Sequence, residues 1–165
     1  MEQDNTNPTT NSQLVDTNAD NNLGAKKILV VEDEEDARTI FMDLLSDEGY
    51  EVSGAGDGGE ALAKAAADKY DLILLDIIMP NKDGIETLEE IIADKQKYGN
   101  PKVIMLTNIS GDAAVEKAME IGAVGYRLKS STELDQLLDD VEKHLGGQPS
   151  SSAETQEVNN APAAV

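Results

Sequence analysis

Cysteine is missing from this sequence altogether, and histidine occurs only once. Without cysteine there can be no disulfide, no thiolate metal site and no cysteine nucleophile. Long hydrophobic runs are also missing: none approaches the roughly 18 residues that a membrane span needs. The opening stretch, MEQDNTNPTTNSQLVD, lacks both the basic and the greasy parts of a signal peptide. A soluble protein of the cytoplasm, without membrane insertion, is therefore expected. Cations are scarce as well, with 13 lysines and arginines against 33 aspartates and glutamates, for a net charge of -20. Such a surface repels nucleic acid phosphates and anionic lipid, so neither is an expected partner. It accommodates a divalent cation.

What is present fits one ordinary domain within 165 residues. Residues 1–24 are rich in Asn, Thr, Asp and Gln, and residues 147–165, GQPSSSAETQEVNNAPAAV, show no hydrophobic period. Both read as disordered tails. Every lysine and arginine lies between Lys26 and Lys143, which places the folded unit at residues 25–146. No internal repeat is present.

Inside that unit two hydrophobic periods alternate. Short apolar runs at 27–31, 71–77, 102–107 and 124–128, with a weaker one at 50–54, suit strands buried on both faces. Helical stripes lie between them. Ala37, Ile40, Phe41, Leu44 and Leu45 share a face, as do Ile85, Leu88, Ile91 and Ile92, and as do Leu134, Leu137, Leu138, Val141 and Leu145. Thinner stripes are made by Ala61, Leu62, Ala65 and Ala66, and by Ala114, Ala118, Met119 and Ile121. Asp57 with Glu60, Asp83 with Glu86, and Ser130 with Glu133 have capping-box spacing. Gly99 and Pro101 stop a helix after Tyr98. A β-α unit repeated five times predicts an α/β fold: a doubly wound, five-stranded parallel sheet with helices on both faces.

In such sheets ligands bind at the carboxyl ends of the strands. Glu32 and Asp33 follow the first strand, Asp76 ends the third, Thr107 the fourth, and Lys129 follows the fifth. Glu34, Glu35 and Asp36 are assigned to the first turn of a helix, where acids suit the dipole. Like charges about 4 Å apart repel by roughly 4 kcal/mol at an effective dielectric near 20, so three acids together take up protons or recruit a cation. Hard oxygen ligands with no histidine or cysteine nearby favour Mg2+ over zinc. Lys129 supplies a compact neutralising charge. Asp76, an acid inside the greasy run DLILLDIIMP, is expected to face a metal and an ammonium.

The stretches ILVVEDEEDAR, DLILLDIIMPNKDGIE, VIMLTN and GAVGYRLKS, in this order, resemble the receiver domain of two-component response regulators. The resemblance covers nearly all of residues 26–146 and implies a flavodoxin-like (βα)5 receiver fold. It implies that Asp76 accepts a phosphoryl group from a histidine kinase or a His-containing phosphotransfer protein. It further implies that Glu32, Asp33, Asp76 and the backbone carbonyl of Ile78 hold Mg2+, and that Lys129 and Thr107 contact the phosphoryl oxygens. Tyr126 matches the switch aromatic that turns inward with the threonine, altering a protein-binding face over residues 112–145. A stand-alone receiver that signals by protein contact, or relays to another phosphotransfer domain, is the expected type. His144, near the end of the last helix, is assigned to the helix dipole alone.

Three positions depart from the commonest pattern of that family. Ser130 follows Lys129 where proline is usual, and Asn108 follows Thr107 where a small residue is usual. Ile78 and Ile109 stand where polar residues sometimes orient water, so a long-lived phosphoryl group is expected, and a lifetime of seconds would contradict it. Two alternatives remain. One is a phosphorylation-independent scaffold, which unchanged partner binding after Asp76→Ala would support. The other is a Mg2+-dependent aspartyl phosphatase of the haloacid dehalogenase type. That family wants a second aspartate where Ile78 stands, and its nucleophile ends the first strand rather than the third.

Overall fold

Each apolar run forms a strand in the computed structural model, which describes residues 25–108, 113–129 and 134–146. They are β1 (Lys27–Val31), β2 (Glu51–Ala55), β3 (Leu72–Asp76), β4 (Lys102–Thr107) and β5 (Gly125–Leu128). All pair in parallel, in the order β2-β1-β3-β4-β5. Among the described residues the helices are α1 (Glu35–Asp47), α2 (Gly58–Ala67), α3 (Gly84–Ala93), α4 (Lys95–Tyr98), α5 (Ala113–Ile121) and α6 (Leu134–Leu145). Strand order reverses between β1 and β3, so their carboxyl ends flank the crevice where a doubly wound sheet presents its ligand site.

The strands' period of two sorts their side chains between two cores. Leu29, Val31, Ile73, Leu75, Val103 and Met105 meet α2, α3 and α5 on one face. Ile28, Val30, Leu72, Leu74, Ile104 and Leu106 meet Phe41 and Leu45 of α1 and Leu137 and Val141 of α6 on the other. Burying each such aliphatic side chain contributes about 1.5–3 kcal/mol relative to exposure. The edge strands β2 and β5 are less buried than the three between them, because each has a neighbour on one side only.

Several local expectations need correction. Ile40 is 56% exposed and Met119 42% exposed, so neither joins its predicted stripe, and Ala66 is exposed as well. Ile40 lines an exposed groove beside Lys129, while Phe41 and Leu45 of the same helix make the contact with the sheet. The helix before Gly99 is not continuous. Asp94 leaves helical geometry at φ -126°, ψ 72°, and its side chain caps α4 through Lys97 N, 3.0 Å away. Gly99, at φ 81°, then ends α4 as predicted. Asp83 and Glu86 form the complete capping box, whereas Glu60 turns its carboxylate to Gly56 N rather than to Asp57. The Ser130–Glu133 cap, Ile109 and both predicted tails lie outside the described residues.

Candidate functional site: an acid cluster closed by a lysine

Register alone brings the first two acids together. Val31 pairs with Leu75, so the next residues, Glu32 and Asp76, emerge side by side from adjacent strands. Both are buried, at 1% and 3% exposure, while Asp33, one step along the loop, is exposed. One oxygen from each of the three carboxylates lies within 4.8 Å of the others. β4 carries Thr107, itself buried, to the same edge, and the Lys129 amide donates to the Thr107 carbonyl at 2.9 Å. That backbone tie extends the β4–β5 ladder by one residue and aims the lysine across the sheet. Its ammonium donates to Asp76 Oδ2 at 2.6 Å and stands 2.6 Å from Glu32 Oε2.

The charges explain the protonation behaviour. Burial is the main cause that raises the Glu32 carboxyl above its ordinary value, with Asp76 adding to it against the opposing pull of Lys129. Burial pulls the Lys129 ammonium downward, but the hydrogen bond to Asp76 and the contact with Glu32 outweigh it and raise the net value. Lys129 is thus a fixed cation, while Glu32 holds a proton more readily than an exposed glutamate.

The loop from β3 to α3 is built around Asp76. Ile78 N donates to Asp76 Oδ1 at 3.2 Å, which sets the Ile78 backbone beside the cluster while its side chain is 62% exposed. Met79 is buried, and Asn81 takes a left-handed φ of 66°, which asparagine tolerates better than most residues. Tyr126 lies on β5 opposite Met105 and is 40% exposed, so its ring stands outward in this conformation. Beside Lys129 an apolar groove is lined by Ala37, Ile40, Phe41 and Leu134.

Two contributors were invisible as site residues in the sequence. A Cβ on Gly84 would fall 2.0 Å from the Asp76 carbonyl oxygen, so only glycine lets α3 begin this close to the Asp76 peptide. Its place directly after the Asp83 cap hid it as an ordinary helix start. Arg38 donates through Nη1 to the Glu32 carbonyl at 2.7 Å. Its position in the first turn of α1 gave no signal of that reach.

Family comparison assigns residues 28–142 to the response regulator receiver domain. The chain belongs to that family. Relatives include the transcriptional regulatory protein PdtaR of Mycobacterium tuberculosis, 37% identical over 63% of this chain and 49% of that protein. Another is the alkaline phosphatase synthesis transcriptional regulatory protein PhoP of Bacillus subtilis, 40% identical over 63% of this chain and 42% of that protein. The chain spans about half the length of these curated relatives or less. Among solved structures, chemotaxis protein CheY4 of Vibrio cholerae matches with a TM-score of 0.67 and 30% identity, over 73% of this chain and 99% of that one. Response regulator TrrA of Thermotoga maritima, in complex with Mg2+-BeF, matches with a TM-score of 0.62 and 38% identity, over 73% and 99%.

Receiver domains are signalling modules of two-component systems that bind Mg2+ at an acidic pocket. The receiver's own residues fit that ion. Its donor set is three carboxylates with no softer ligand, which suits a hard oxygen-seeking cation. Glu32 Oε2 is buried and stands 2.6 Å from the Lys129 ammonium, and one oxygen each of Glu32, Asp33 and Asp76 lies within 4.8 Å of the others. Three carboxylate oxygens gathered this closely beside a single ammonium leave negative charge that a divalent cation can balance. Among the described residues no helix is long and apolar enough to cross a membrane.

Proposed function

We propose that this receiver accepts a phosphoryl group on Asp76, from a histidine kinase or a His-containing phosphotransfer protein, in a Mg2+-dependent reaction in the cytoplasm. The observation that carries this reading is the convergence of Asp76, Glu32 and Lys129 from three strand ends, with 2.6 Å between the ammonium and each acid. Glu32, Asp33, Asp76 and the Ile78 carbonyl would hold Mg2+. When bound, the ion supplies charge compensation between the carboxylates and the incoming phosphoryl group.

Asp76 is the nucleophile: one carboxylate oxygen forms a bond to phosphorus as the donor's P–N bond breaks and its electron pair returns to the leaving nitrogen. Phosphoryl transfer asks for in-line positioning and charge compensation rather than covalent assistance. Burial of Asp76 excludes competing water, and the Ile78 amide orients Oδ1. Lys129 and Thr107 stabilise charge on the transferring oxygens. Ala37, Ile40, Phe41 and Leu134 line the apolar groove beside Lys129.

The phosphorylated state draws Thr107 and Tyr126 inward and alters the face over residues 112–145, where a downstream protein binds; residues 112 and 130–133 of that face lie outside the described ones. It is a local charge event biasing a two-state element. Asp135, Asp139 and Glu142 on α6, with Asp140 already paired to Arg127 at 2.5 Å, give that face an acidic character suited to a basic patch. Beryllofluoride with Mg2+ tests the reading by calorimetry. Wild type is expected to bind it and to gain thermal stability, and Asp76→Asn to do neither. Equal binding by both proteins would refute the assignment.

A further inference from the structure

β2 has a glycine one residue before its end, Gly54, a residue that weakens a strand and often marks close approach by another group. The approaching group is Arg38. A Cβ on Gly54 would lie 3.1 Å from Arg38 Cδ and 2.7 Å from Met42 Sδ, so the bare backbone leaves a channel for these two side chains of α1. Along it the Arg38 guanidinium reaches back to the tip of β1, where Nη1 donates to the Glu32 carbonyl at 2.7 Å.

That contact completes a set of restraints on one residue. The Glu32 amide donates to the Ala55 carbonyl at 3.0 Å, and its Oε1 accepts from Glu34 N at 3.3 Å. Amide, carbonyl and carboxylate are thus each held by a different residue. Release of the carbonyl would free the peptide that joins Glu32 to Asp33, and with it the aim of both carboxylates toward Asp76.

We propose that Arg38 is a positioning residue for the metal-binding acids, acting through the Glu32 carbonyl, and that Gly54 is the feature of β2 that admits it. The proposal rests on the metal reading above. Its electrostatics make it testable by sign. A guanidinium beside an acid cluster opposes the binding of a cation by simple Coulomb repulsion. Removal of the charge alone would therefore tighten Mg2+ binding, whereas loss of positioning weakens it.

The test is titration calorimetry of Mg2+ into the full chain at constant ionic strength, with urea unfolding of every variant alongside. Arg38→Met, which keeps length and loses charge, is expected to weaken Mg2+ binding about 10-fold or more, the usual consequence of losing an outer-sphere support. Arg38→Lys should recover part of the loss. Gly54→Ala keeps the charge but crowds the channel and should weaken binding in the same direction, with the double variant Arg38→Met/Gly54→Ala no weaker than Arg38→Met alone. In acetyl phosphate reactions the apparent KM for Mg2+ should rise more than kcat falls. Unchanged or tighter Mg2+ binding by Arg38→Met overturns the proposal, as does lowered stability with unchanged affinity. Should Arg38→Met not fold, unchanged affinity in Gly54→Ala overturns it equally. Wild type that binds no Mg2+ at all overturns the metal reading first, a result distinct from any difference among variants.

Discussion

At the scale of single residues, Gly84 and Asp71 show how context decides the sign of an effect. Alanine in place of glycine in a helix normally gains up to about 1 kcal/mol. At Gly84 the new Cβ would sit 2.0 Å from the Asp76 carbonyl oxygen, which is backbone and cannot swing aside. Gly84→Ala is therefore expected to destabilise by about 1–3 kcal/mol or more in urea unfolding. Stability equal to wild type would show that α3 can withdraw from Asp76 at no cost. Asp71 precedes β3 at the opposite end of the sheet. Burial raises its carboxyl, but the Lys27 amide at 2.9 Å and the Lys26 ammonium at 3.0 Å outweigh that and leave it below its ordinary value. The folded state then binds fewer protons than the unfolded chain, so this contribution is present above the unfolded value of about 3.9 and is lost as pH falls through the lower folded value. Asp71→Asn should lose less stability than wild type over that acid window. Parallel pH profiles for the two proteins would contradict the assignment.

At the scale of elements, the β3–α3 loop and its cap carry the largest functional consequence. Asp83 accepts from Glu86 N at 2.9 Å, and the Asp83 amide donates in return to the Glu86 carboxylate. Asp83→Ala is expected to cost about 1 kcal/mol of stability. It should also lower the rate of acetyl phosphate labelling, because the loop that holds the Ile78 amide on Asp76 ends at this cap. A labelling rate equal to wild type would uncouple the cap from the site. The strands were legible in the sequence because a parallel sheet buried on both faces needs continuous apolar runs, and KILVV and LILLD are such runs. The polar residues that interrupt or follow them were legible for the same reason, since an acid at a buried strand end needs a partner. Side-chain contacts with the main chain of other segments were not legible. Arg38 on the Glu32 carbonyl depends on a channel made by β2, and Gly84 depends on the path of α3. The break at Asp94 escaped notice because the stop signals in the sequence, Gly99 and Pro101, come only after Tyr98, which is buried with its hydroxyl donating to Glu90 Oε1 at 2.8 Å. Ile40 was assigned to the core on spacing alone, although the sheet contact of α1 is filled by Phe41 and Leu45.

At the scale of the whole molecule, 33 acids on one chain make a field that gathers cations, yet the site depends on where three of those acids are delivered. The same field disfavours phosphate esters in general, so the proposed transfer to Asp76 would rely on local compensation by Lys129 and the divalent ion rather than on long-range steering. The most direct measurement is the intact mass of wild type and Asp76→Asn after incubation with acetyl phosphate, in Mg2+ and in a chelator. The account predicts one added phosphoryl group on wild type in Mg2+, and none on Asp76→Asn or in chelator. Equal labelling of Asp76→Asn, or labelling of wild type that persists without Mg2+, would contradict it.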